Sequence, residues 1–440
     1  MRVLIVDKGG YALDFAMRCL ADGHRVKHYI PQTARTDQIG KGLVEIVSEW
    51  TTWMKWADLV FLPDNTRYIA EIDAWRRMNP DIAVISATTD SARLELDRGH
   101  GMKVLARHGI AVAPSQEFKR YDDAIAYVKR ENRRFVSKPC GDEPDKSLTY
   151  VASGPADMVY MLERWKKGRR HKGPFLLQEF IGGTEMAVGG WIGPAGFAAG
   201  WWCENWEFKK LMNGEKGVAT GEQGTVIRNV GKSKLADQVL APLEDCLVST
   251  GHTGYVDVNC IVDDDGTPWP LEFTMRPGWP TFNIQQSLIT GDHAEWLADL
   301  ALGQHATPPS LNSVSTGVVM SIPDYPYSHI TRKEVCGIPI ITSTRIDMSL
   351  VSLCEVSRGT APQDIGGKVE TAPCLVTAGD YVLVAMGVGE TVTESRRRAY
   401  RVLDQIAIPN SPMYRTDIGA RLAKQLPKLQ AHGFAAGMIY

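Results

Sequence analysis

Two consecutive segments of the chain, residues 254–262 and 269–278, predict a β-hairpin with one oxygen-rich face. The first segment reads Gly-Tyr-Val-Asp-Val-Asn-Cys-Ile-Val and the second Trp-Pro-Leu-Glu-Phe-Thr-Met-Arg-Pro-Gly, and Asp-Asp-Asp-Gly at 263–266 is a turn signal between them. Strand side chains alternate between the two faces of a sheet. One face is therefore apolar, and the other carries Asp257, Asn259, Glu272, Thr274 and Arg276.

The oxygen-rich face of this hairpin suits Mg²⁺ and phosphate. Mg²⁺ binds through one or two carboxylates and completes its shell with water and nucleotide phosphates. An arginine beside it would bind the phosphate oxygens. A solvated face of an antiparallel sheet is the alternative interpretation, because such faces are common.

Three features earlier in the chain favour a nucleotide at the same site. Residues 135–139 predict a short strand that carries Lys138, residues 175–181 predict a strand ending in Gln178-Glu179-Phe180-Ile181, and Glu185 follows four residues later. A lysine supplies a point charge for phosphate oxygens. A strand between two lobes offers main-chain groups to an adenine edge, and a nearby carboxylate can accept from ribose hydroxyls. The order of these residues predicts a nucleotide held between two lobes and the transfer of a phosphoryl group.

Length and composition exclude several classes of protein. A chain of 440 residues predicts two or more domains. A net charge of −2 gives no basis for a nucleic-acid or membrane surface that depends on bulk charge. The eight cysteines have neither CxxC nor zinc spacing, which indicates thiols in a reducing compartment. No signal peptide or membrane span is evident, so we expect a soluble cytoplasmic protein.

The first 95 residues alternate between strand and helix patterns. Strands are expected at 3–6, 24–30, 57–62 and 82–86, which predicts βαβ units and a mostly parallel sheet. Gly9 and Gly10 follow the first strand, where they could hold a phosphate at a helix N-terminus or simply form a tight turn. Because the GxGxxG pattern is absent, a dinucleotide site is not favoured.

The rest of the chain gives fewer local signals. We expect one helix at 94–109, a long functional loop at 201–225, and strands at 315–322 and 381–386. Thr391 begins a helix with a capping box to Glu394 and an apolar stripe. The final residues, 421–440, predict either a docked helix or a loose tail.

Motifs across about residues 1–420 resemble the ATP-grasp ligases, and within them the phosphoribosylamine–glycine ligase family. Lys138 and Lys146 match that family's strand lysine and glycine-rich-loop lysine, and Gln178-Glu179-Phe180-Ile181 with Gly183 and Glu185 resembles its adenine segment. Residues 209–224 parallel its substrate loop, and Leu-Glu-Phe-Thr-Met-Arg at 271–276 parallels its metal strand, Leu-Glu-Phe-Asn-x-Arg. The most specific matches are Gly-Val-Gly-Glu-Thr at 387–391, the helix with Arg-Arg-Arg-Ala-Tyr at 396–400, and Tyr-Arg-Thr-Asp-Ile-Gly at 414–419.

The resemblance implies an α/β protein with the ATP-grasp fold. An N-terminal doubly wound parallel-sheet domain would occupy residues 1–95, and the ATP-grasp domain 96–310 would have a mobile lid at about 112–180. A small C-terminal α+β domain would span 311–420, followed by the tail 421–440.

The resemblance also implies a site and a reaction. ATP would phosphorylate the carboxylate of an amino acid, glycine in the family, and an amine would attack the acyl phosphate to give an amide, ADP and phosphate. The implied ATP-binding residues are Arg98, Lys138, Lys146, Gln178, Glu179, Phe180, Ile181 and Glu185. The implied substrate-binding residues are Gly10, Lys209, Thr220, Gly221, Glu222 and Arg276. Arg276 and Lys210 are the expected catalytic residues. Asp257, Glu272 and Thr274 are the expected ligands of Mg²⁺ or Mn²⁺, with Asn259 as the alternative to Thr274.

Several positions depart from the family's pattern, mainly where it binds phosphoribosylamine. The family's Gly-Gly-Arg-Glu-His loop is Gly-Gly-Tyr-Ala-Leu at 9–13, and its Gly-Pro-Glu segment is Leu-Pro-Asp-Asn at 62–65. The ATP loop at 140–147 holds one glycine and three acids, which repel a polyphosphate. Glu222-Gln223 replaces Gly-Met, and Thr274 replaces the metal-binding Asn.

These departures lead to the hypothesis of a divergent paralogue. It would keep the ATP-dependent ligation of a carboxylate to an amine but use a different acceptor, plausibly nucleoside-like. The alternatives are the orthodox ligase of purine biosynthesis and a non-catalytic nucleotide-binding protein. Trp201, Trp202 and Trp206 could stack on a planar acceptor or brace a hydrophobic core, and the brace is the more common role. The expected partners are small molecules and no membrane. The bulk charge does not favour nucleic acid, but a base-like acceptor, free or part of a polymer, is left open, and the expected assembly is a monomer or homodimer.

Overall fold

The N-terminal part of the chain forms a parallel sheet with apolar side chains on both faces. In this computed structural model, which describes residues 1–140, 149–168, 173–304, 306–327, 333–409 and 411–440, the sheet has the order β3-β2-β1-β4-β5. Its strands are β1 (Arg2–Val6), β2 (Arg25–Tyr29), β3 (Ile46–Val47), β4 (Leu59–Phe61) and β5 (Ala83–Ile85). Alternate residues of β1 enter two separate hydrophobic clusters, one on each face. This arrangement is typical of a parallel sheet covered on both sides, as predicted.

Four helices accompany this sheet. They are α1 (Leu13–Ala21), α2 (Ile69–Met78), α3 (Thr89–Leu96) and α4 (Arg98–Arg107). The prediction of one helix at 94–109 is wrong, because Asp97 leaves helical geometry and its carboxylate accepts the His100 N–H as the N-cap of α4. The break places Arg98 at the first position of a new helix.

A second, four-stranded antiparallel sheet spans the region expected to be the lid. Its strands lie in the order β6-β9-β7-β8, and two helices pack their apolar residues against it. These elements are β6 (Ser115–Phe118), α5 (Tyr121–Glu131), β7 (Phe135–Pro139), β8 (Tyr150–Val151), α6 (Pro155–Gly168) and β9 (Phe175–Glu179). Lys138 lies near the end of β7, as the sequence predicts.

We call the sheet β6-β9-β7-β8 the lid sheet, after the predicted lid region. The strands of the central sheet follow it in the sequence. Its first part contains β10 (Thr184–Gly193), β11 (Gly196–Phe197), β12 (Trp202–Glu207), β15 (Gly224–Val230), β16 (Gly254–Val262) and β17 (Pro268–Thr274), and β13 (Lys210–Met212) and β14 (Lys216–Ala219) form a separate pair. The helices of this region are α7 (Lys234–Val239), α8 (Glu244–Ser249), α9 (Thr281–Gln286) and α10 (Glu295–Ala301).

The prediction of a long loop at 201–225 is therefore wrong. Polar side chains in this stretch hid the strand pattern because they are buried and paired inside the sheet. The Glu204 carboxylate, for example, accepts from the Arg228 guanidinium at 2.6 and 2.9 Å. Trp201 and Trp206 are buried in hydrophobic clusters and Trp202 packs on Phe197, so these tryptophans brace the core and are not exposed for stacking.

The C-terminal part of the chain extends the central sheet. The sheet has the order β17-β16-β10-β12-β15-β18-β23-β20, with β11 beside β10. Of the C-terminal strands, β18, β23 and β20 belong to this sheet. The strands and helices of the C-terminal part are β18 (Val314–Ser321), β19 (Ile341–Thr342), β20 (Val351–Leu353), β21 (Val356–Ile365), β22 (Lys368–Thr377), β23 (Tyr381–Gly389), α11 (Val392–Leu403), β24 (Ile406–Ala407) and α12 (Leu422–Ala431). Thr391 caps α11 by accepting the Glu394 N–H, as predicted.

The end of the chain is a docked helix rather than a loose tail. Leu422, Leu426 and Leu429 of α12 are buried in the main hydrophobic cluster. Among the described residues, no helix has both the length and the apolar composition of a membrane span.

A buried histidine joins the N-terminal sheet domain to the central sheet. The His252 imidazole contacts the Ser91 hydroxyl of α3 at 2.9 Å and the Tyr255 carbonyl of β16 at 3.3 Å. Burial disfavours its charged form and lowers the pKa of His252 to about 4. The neutral imidazole is therefore part of the folded structure.

We predict that His252 makes the protein less stable in mild acid. As the pH falls from the ordinary histidine pKa of 6.5 to about 4, the unfolded chain binds a proton that the folded chain does not, at a cost of up to about 3 kcal/mol. Urea unfolding near neutral pH and at about pH 4.5 measures this loss. His252→Gln should lose less stability over the same range, and equal losses in the two proteins would contradict the assignment.

Candidate functional site

The hairpin of β16 and β17 presents the polar face that its alternating sequence predicts. Asp257 lies opposite Thr274 and Asn259 opposite Glu272, and an irregularity in the register follows between Asn259 and Cys260. On the opposite face, Val256, Val258 and Phe273 are among the residues buried in the main core, whereas Leu271 is only partly buried. The hairpin therefore holds its oxygen-bearing side chains on one side of a rigid sheet.

Glu272 is held by cations from two directions. Its Oε2 accepts from the Arg98 guanidinium at 2.8 Å, and its Oε1 lies 3.3 Å from the Lys209 ammonium. Burial favours the neutral acid, but the charges of Arg98, Lys209 and Lys138 outweigh it and hold the pKa of Glu272 well below its usual range. Glu272 is consequently a carboxylate at neutral pH.

Lys209 is the centre of a group of three carboxylates. Its Nζ lies 2.8 Å from Glu207, 3.3 Å from Glu272 and 3.8 Å from Glu185. Burial lowers the pKa of Lys209, but the neighbouring carboxylates, Glu207 first, raise it well above the usual lysine value. One ammonium therefore reduces the repulsion among three acids that would otherwise face each other.

The structure places Lys209, rather than its neighbour Lys210, beside Glu207, and the assignment of Lys210 as catalytic stays a prediction. Residues two apart on an extended chain share a face, so Lys209 points to the same side as Glu207. Lys209 lines the cavity above the hairpin and Lys210 does not. The described contact of Lys210 is its carbonyl, which accepts from Arg415 at 2.9 Å.

Lys138 extends the same cationic cluster from the lid sheet. Its Nζ lies 3.4 Å from the Leu271 carbonyl, next to Glu272. Burial and the nearby Arg98 charge lower the pKa of Lys138 to about 7. Arg98, Lys138 and Lys209 thus approach one carboxylate from three separate elements, which gives a polyanion such as a nucleotide phosphate a set of convergent cations.

The donor atoms opposite these cations fit a hard divalent metal. The Asn259 Oδ1 is buried without a hydrogen-bond partner among the described residues, while its Nδ2 donates to Glu207 at 2.8 Å. Glu272 lies directly opposite on the partner strand. A carboxylate and an amide oxygen, completed by water and phosphate, are ligands that Mg²⁺ accepts.

The Asp257 carboxylate is already hydrogen-bonded to neighbouring side chains. Its Oδ2 accepts from Asn205 at 2.8 Å and from the Tyr255 hydroxyl at 3.1 Å, and burial raises the pKa of Asp257 to about 7. Within the described residues, the trio of Asp, Glu, His or Cys side chains whose donor atoms lie within 4.8 Å of one another is Asp22, His24 and Asp292, which lies elsewhere. The assignment of Asp257 and Thr274 to a metal stays a prediction, with Asn259 as the alternative to Thr274.

The segment expected to bind adenine connects the lid sheet to the central sheet. Gln178 and Glu179 end β9, and Glu185 lies at the start of β10. The Glu179 carboxylate pairs with Arg133 at 2.7 Å, and the Arg134 guanidinium covers the Phe180 ring at 3.4 Å. These contacts leave the assignment of residues 178–181 to ATP as a prediction. Lys146 lies outside the described residues.

Two cavities open above the hairpin and share one wall. The first encloses about 290 Å³ and is lined by Arg98, Lys209, Thr220, Glu272, Thr274 and Arg276, among others. The second encloses about 260 Å³ and includes Gly10. Gly221, Glu222 and Trp279 line both cavities. The predicted substrate residues therefore lie at these cavities.

Arg276 lines the first cavity together with Arg98 and Lys209. Its guanidinium lies 3.5 Å from Glu95 and donates to the Pro277 carbonyl at 3.2 Å. Burial lowers the pKa of Arg276, but Glu95, Asp64 and other acids raise it further. Arg276 is thus a permanent cation that can bind a substrate carboxylate or a phosphoryl group.

Sequence reasoning missed several residues of these cavities. Glu207 lines the first cavity and Asn205 contacts Asp257, and both lie in the stretch predicted to be a loop. Asn205, Glu207 and Lys209 nevertheless alternate at the spacing of one strand face. Tyr11 lines the second cavity, where its ring stacks on Trp279 with centroids 5.9 Å apart. No local pattern could join residues so distant in the chain.

Comparison with known proteins shows which sequences and structures this chain is similar to. No protein-family model matches the chain. The phosphoribosylamine–glycine ligase of Salmonella typhimurium is 26% identical over 383 residues, which cover 82% of each chain. The crystal structure of phosphoribosylamine–glycine ligase from Thermotoga maritima has a TM-score of 0.71 and 20% identity, covering 95% of this chain and all of that one.

A more distant structure shares the same fold. The biotin carboxylase domain of 2-oxoglutarate carboxylase from Hydrogenobacter thermophilus, solved with MgADP and bicarbonate, has a TM-score of 0.62 and 12% identity, covering 98% of this chain and 95% of that one. The ATP-grasp fold predicted from the sequence is confirmed, as is the similarity to phosphoribosylamine–glycine ligases.

We predict that Lys209→Met destabilises the protein, whereas Lys210→Met does so much less. Removing the Lys209 ammonium leaves Glu185, Glu207 and Glu272 without their common counter-charge, at a cost of roughly 1–3 kcal/mol. Thermal unfolding of both variants measures the difference. Equal shifts in Tm would contradict the central position of Lys209.

Proposed function

We propose that this chain, an ATP-grasp protein similar to phosphoribosylamine–glycine ligases, is an ATP-dependent carboxylate–amine ligase with a changed acceptor. It would join an amino acid, plausibly glycine, to an amine other than phosphoribosylamine and release ADP and phosphate. The observation that carries the proposal is the convergence of Arg98, Lys138 and Lys209 on Glu272 at the cavity that also contains Arg276. This arrangement joins a polyphosphate site to a carboxylate site.

The proposed reaction has two steps. A carboxylate is a poor electrophile, so transfer of the terminal phosphoryl group of ATP first converts it to an acyl phosphate. The cations bind and orient the phosphates and offset the charge that develops on the transferring group. Mg²⁺ bound by Glu272 and Asn259 would supply further charge neutralisation at the phosphate oxygens. Arg276 would hold the donor carboxylate in line with the phosphoryl group.

The amine acceptor separates this proposal from the orthodox alternative. The Asp7 carboxylate accepts the N–H groups of Gly9, Gly10 and Ala12 at 2.8–2.9 Å. The backbone donors that could hold a phosphate in this loop are therefore already bonded to an anion. This supports the tight-turn interpretation of Gly9-Gly10.

The resemblance places a second loop, which begins at 62–65, near the sugar phosphate. Its backbone N–H groups are also bonded to a carboxylate. The Asp64 carboxylate accepts the N–H groups of Thr66 and Arg67 and pairs with Lys8 at 2.8 Å. Two fixed carboxylates thus occupy the backbone donors of both loops. A dianionic phosphate would meet repulsion at each loop instead of free N–H groups.

We expect amino-acid-dependent release of ADP that does not require phosphoribosylamine. The assay supplies ATP, Mg²⁺ and each amino acid in turn, with hydroxylamine to trap the acyl phosphate as a hydroxamate. Turnover that depends on phosphoribosylamine would support the orthodox alternative. ATP binding in calorimetry without ADP or hydroxamate would support the non-catalytic alternative.

The matched variants in this assay are Glu272→Gln and Asp264→Asn. Each removes one negative charge from the same hairpin, but Glu272 faces the cation cluster whereas Asp264 is exposed in the turn. Glu272→Gln should lower hydroxamate formation by about 100-fold or more, the scale of one lost electrostatic contact to the transition state. Asp264→Asn should retain activity, and equal effects would contradict the role of Glu272.

A further inference from the structure

The second cavity differs chemically from the first. Two pairs of aromatic rings line it: Tyr11 stacks on Trp279 with centroids 5.9 Å apart, and Tyr325 lies 5.7 Å from Tyr381. The cavity encloses about 260 Å³, near the lower end for small-molecule sites. Its aromatic walls suit one planar, uncharged ring system.

The charged groups of this cavity are mostly acidic. Arg35 pairs with Glu355 at 3.2 Å, and the other Glu355 oxygen accepts the Tyr381 N–H at 3.0 Å. Glu222 is the remaining charged residue among those that line the cavity. One guanidinium and two carboxyl groups do not form a site for a phosphate dianion.

Glu222 has an unused oxygen at the wall between the two cavities. The residue is 5% exposed, and its Oε1 has no hydrogen-bond partner among the described residues. The Trp279 Nε1 and the Tyr381 hydroxyl, which belong to the aromatic walls, are also buried and unpartnered. A buried polar atom without a partner is costly, so three such atoms around one cavity indicate a polar ligand that contacts them.

We infer that the second cavity binds a primary amine on an uncharged planar body, with Glu222 receiving the ammonium group. This inference rests on the proposed ligase function and names the class of its acceptor. The amine would enter from the aromatic side and meet the acyl phosphate across the shared wall of Gly221, Glu222 and Trp279. The carboxylate and the ammonium would neutralise each other in a site with little access to water.

Glu222 would also take the proton that an ammonium must lose before it can attack. Burial, with Glu207 adding to it, raises the pKa of Glu222 well above its usual range, whereas a bound ammonium group would favour the carboxylate. The proton acceptor is therefore the Glu222 carboxylate that is paired with the ammonium ion. The free amine nitrogen bonds to the acyl carbon, and the carbon–oxygen bond to phosphate breaks. The second proton lost by nitrogen leaves with inorganic phosphate, and Glu222 returns its proton to solvent.

The test uses tyramine and O-phosphotyramine, which share an amine and a ring and differ by one phosphate. Each is added to the full-length protein with ATP, Mg²⁺, hydroxylamine and the best donor amino acid, and products are measured by mass spectrometry. We expect tyramine to divert acyl groups from hydroxamate to amide and O-phosphotyramine to do so at least tenfold less. Preference for O-phosphotyramine or phosphoribosylamine, or diversion by neither amine, would overturn the inference while leaving the ligase function in place. Absence of hydroxamate and ADP with every donor would instead overturn the ligase function.

Glu222→Gln tests the proton transfer separately. Hydroxylamine is largely uncharged at neutral pH, whereas tyramine is an ammonium ion. The variant should therefore lose about 100-fold more amide formation than hydroxamate formation, and alkaline pH should restore part of the amide. Glu215→Gln, the same change outside both cavities, should affect the two products equally. Parallel losses of amide and hydroxamate in Glu222→Gln would contradict the role of Glu222.

Discussion

Glu272 is bonded to Arg98 on one side and to Lys209 on the other, and Lys138 approaches it from the lid sheet. These three cations come from α4, from the segment after β12 and from β7, so one carboxylate ties together three parts of the fold. The cations in turn need acids, and Lys209 has Glu185 and Glu207 as further partners. Removal of Lys209 leaves Glu272 with Arg98 and Glu185 with Arg421 as salt-bridge partners among the described residues, so each carboxylate loses part of its charge compensation.

The balance of charge in this group also determines which ligands the first cavity can bind. A cluster in which cations already face one carboxylate can exchange that partner for phosphate oxygens without moving the backbone. Glu272 and Asn259 would hold the metal, which would supply further charge neutralisation for the phosphates. The second cavity, proposed for the acceptor, has acidic groups in place of cations. Asp7 and Asp64 accept the loop N–H groups, and Glu222 has no cation paired with its free oxygen. The two cavities therefore favour ligands of opposite charge.

The sequence predicts the parts of this site where apolar and polar residues repeat over a few positions. The hairpin faces follow from the alternation of residues 254–262 and 269–276, and the register of Asn259 with Glu272 agrees with it. The parallel sheet follows from short apolar strands that alternate with helices. The strands between residues 202 and 230 were missed because buried polar pairs such as Glu204 and Arg228 remove the apolar signal.

The parts that could not be predicted depend on contacts between distant segments. The position of Lys209 beside Glu207 depends on a strand that the polar stretch concealed. The pairing of Tyr11 with Trp279 joins residues 268 positions apart, and neither has a local pattern that indicates the other. The resemblance to ligases supplied residue roles at matching motifs, whereas the acceptor cavity lies where the motifs depart.

Transfer of an isotope from the donor carboxylate to phosphate tests the central claim most directly. The amino acid that gives the highest ADP release is labelled with ¹⁸O in both carboxyl oxygens, and the inorganic phosphate formed is analysed by mass spectrometry. An acyl phosphate requires one carboxyl oxygen to leave with each phosphate, so singly labelled phosphate is the predicted product. Unlabelled phosphate at the same rate of ADP release would show that water attacks ATP, and would contradict the account.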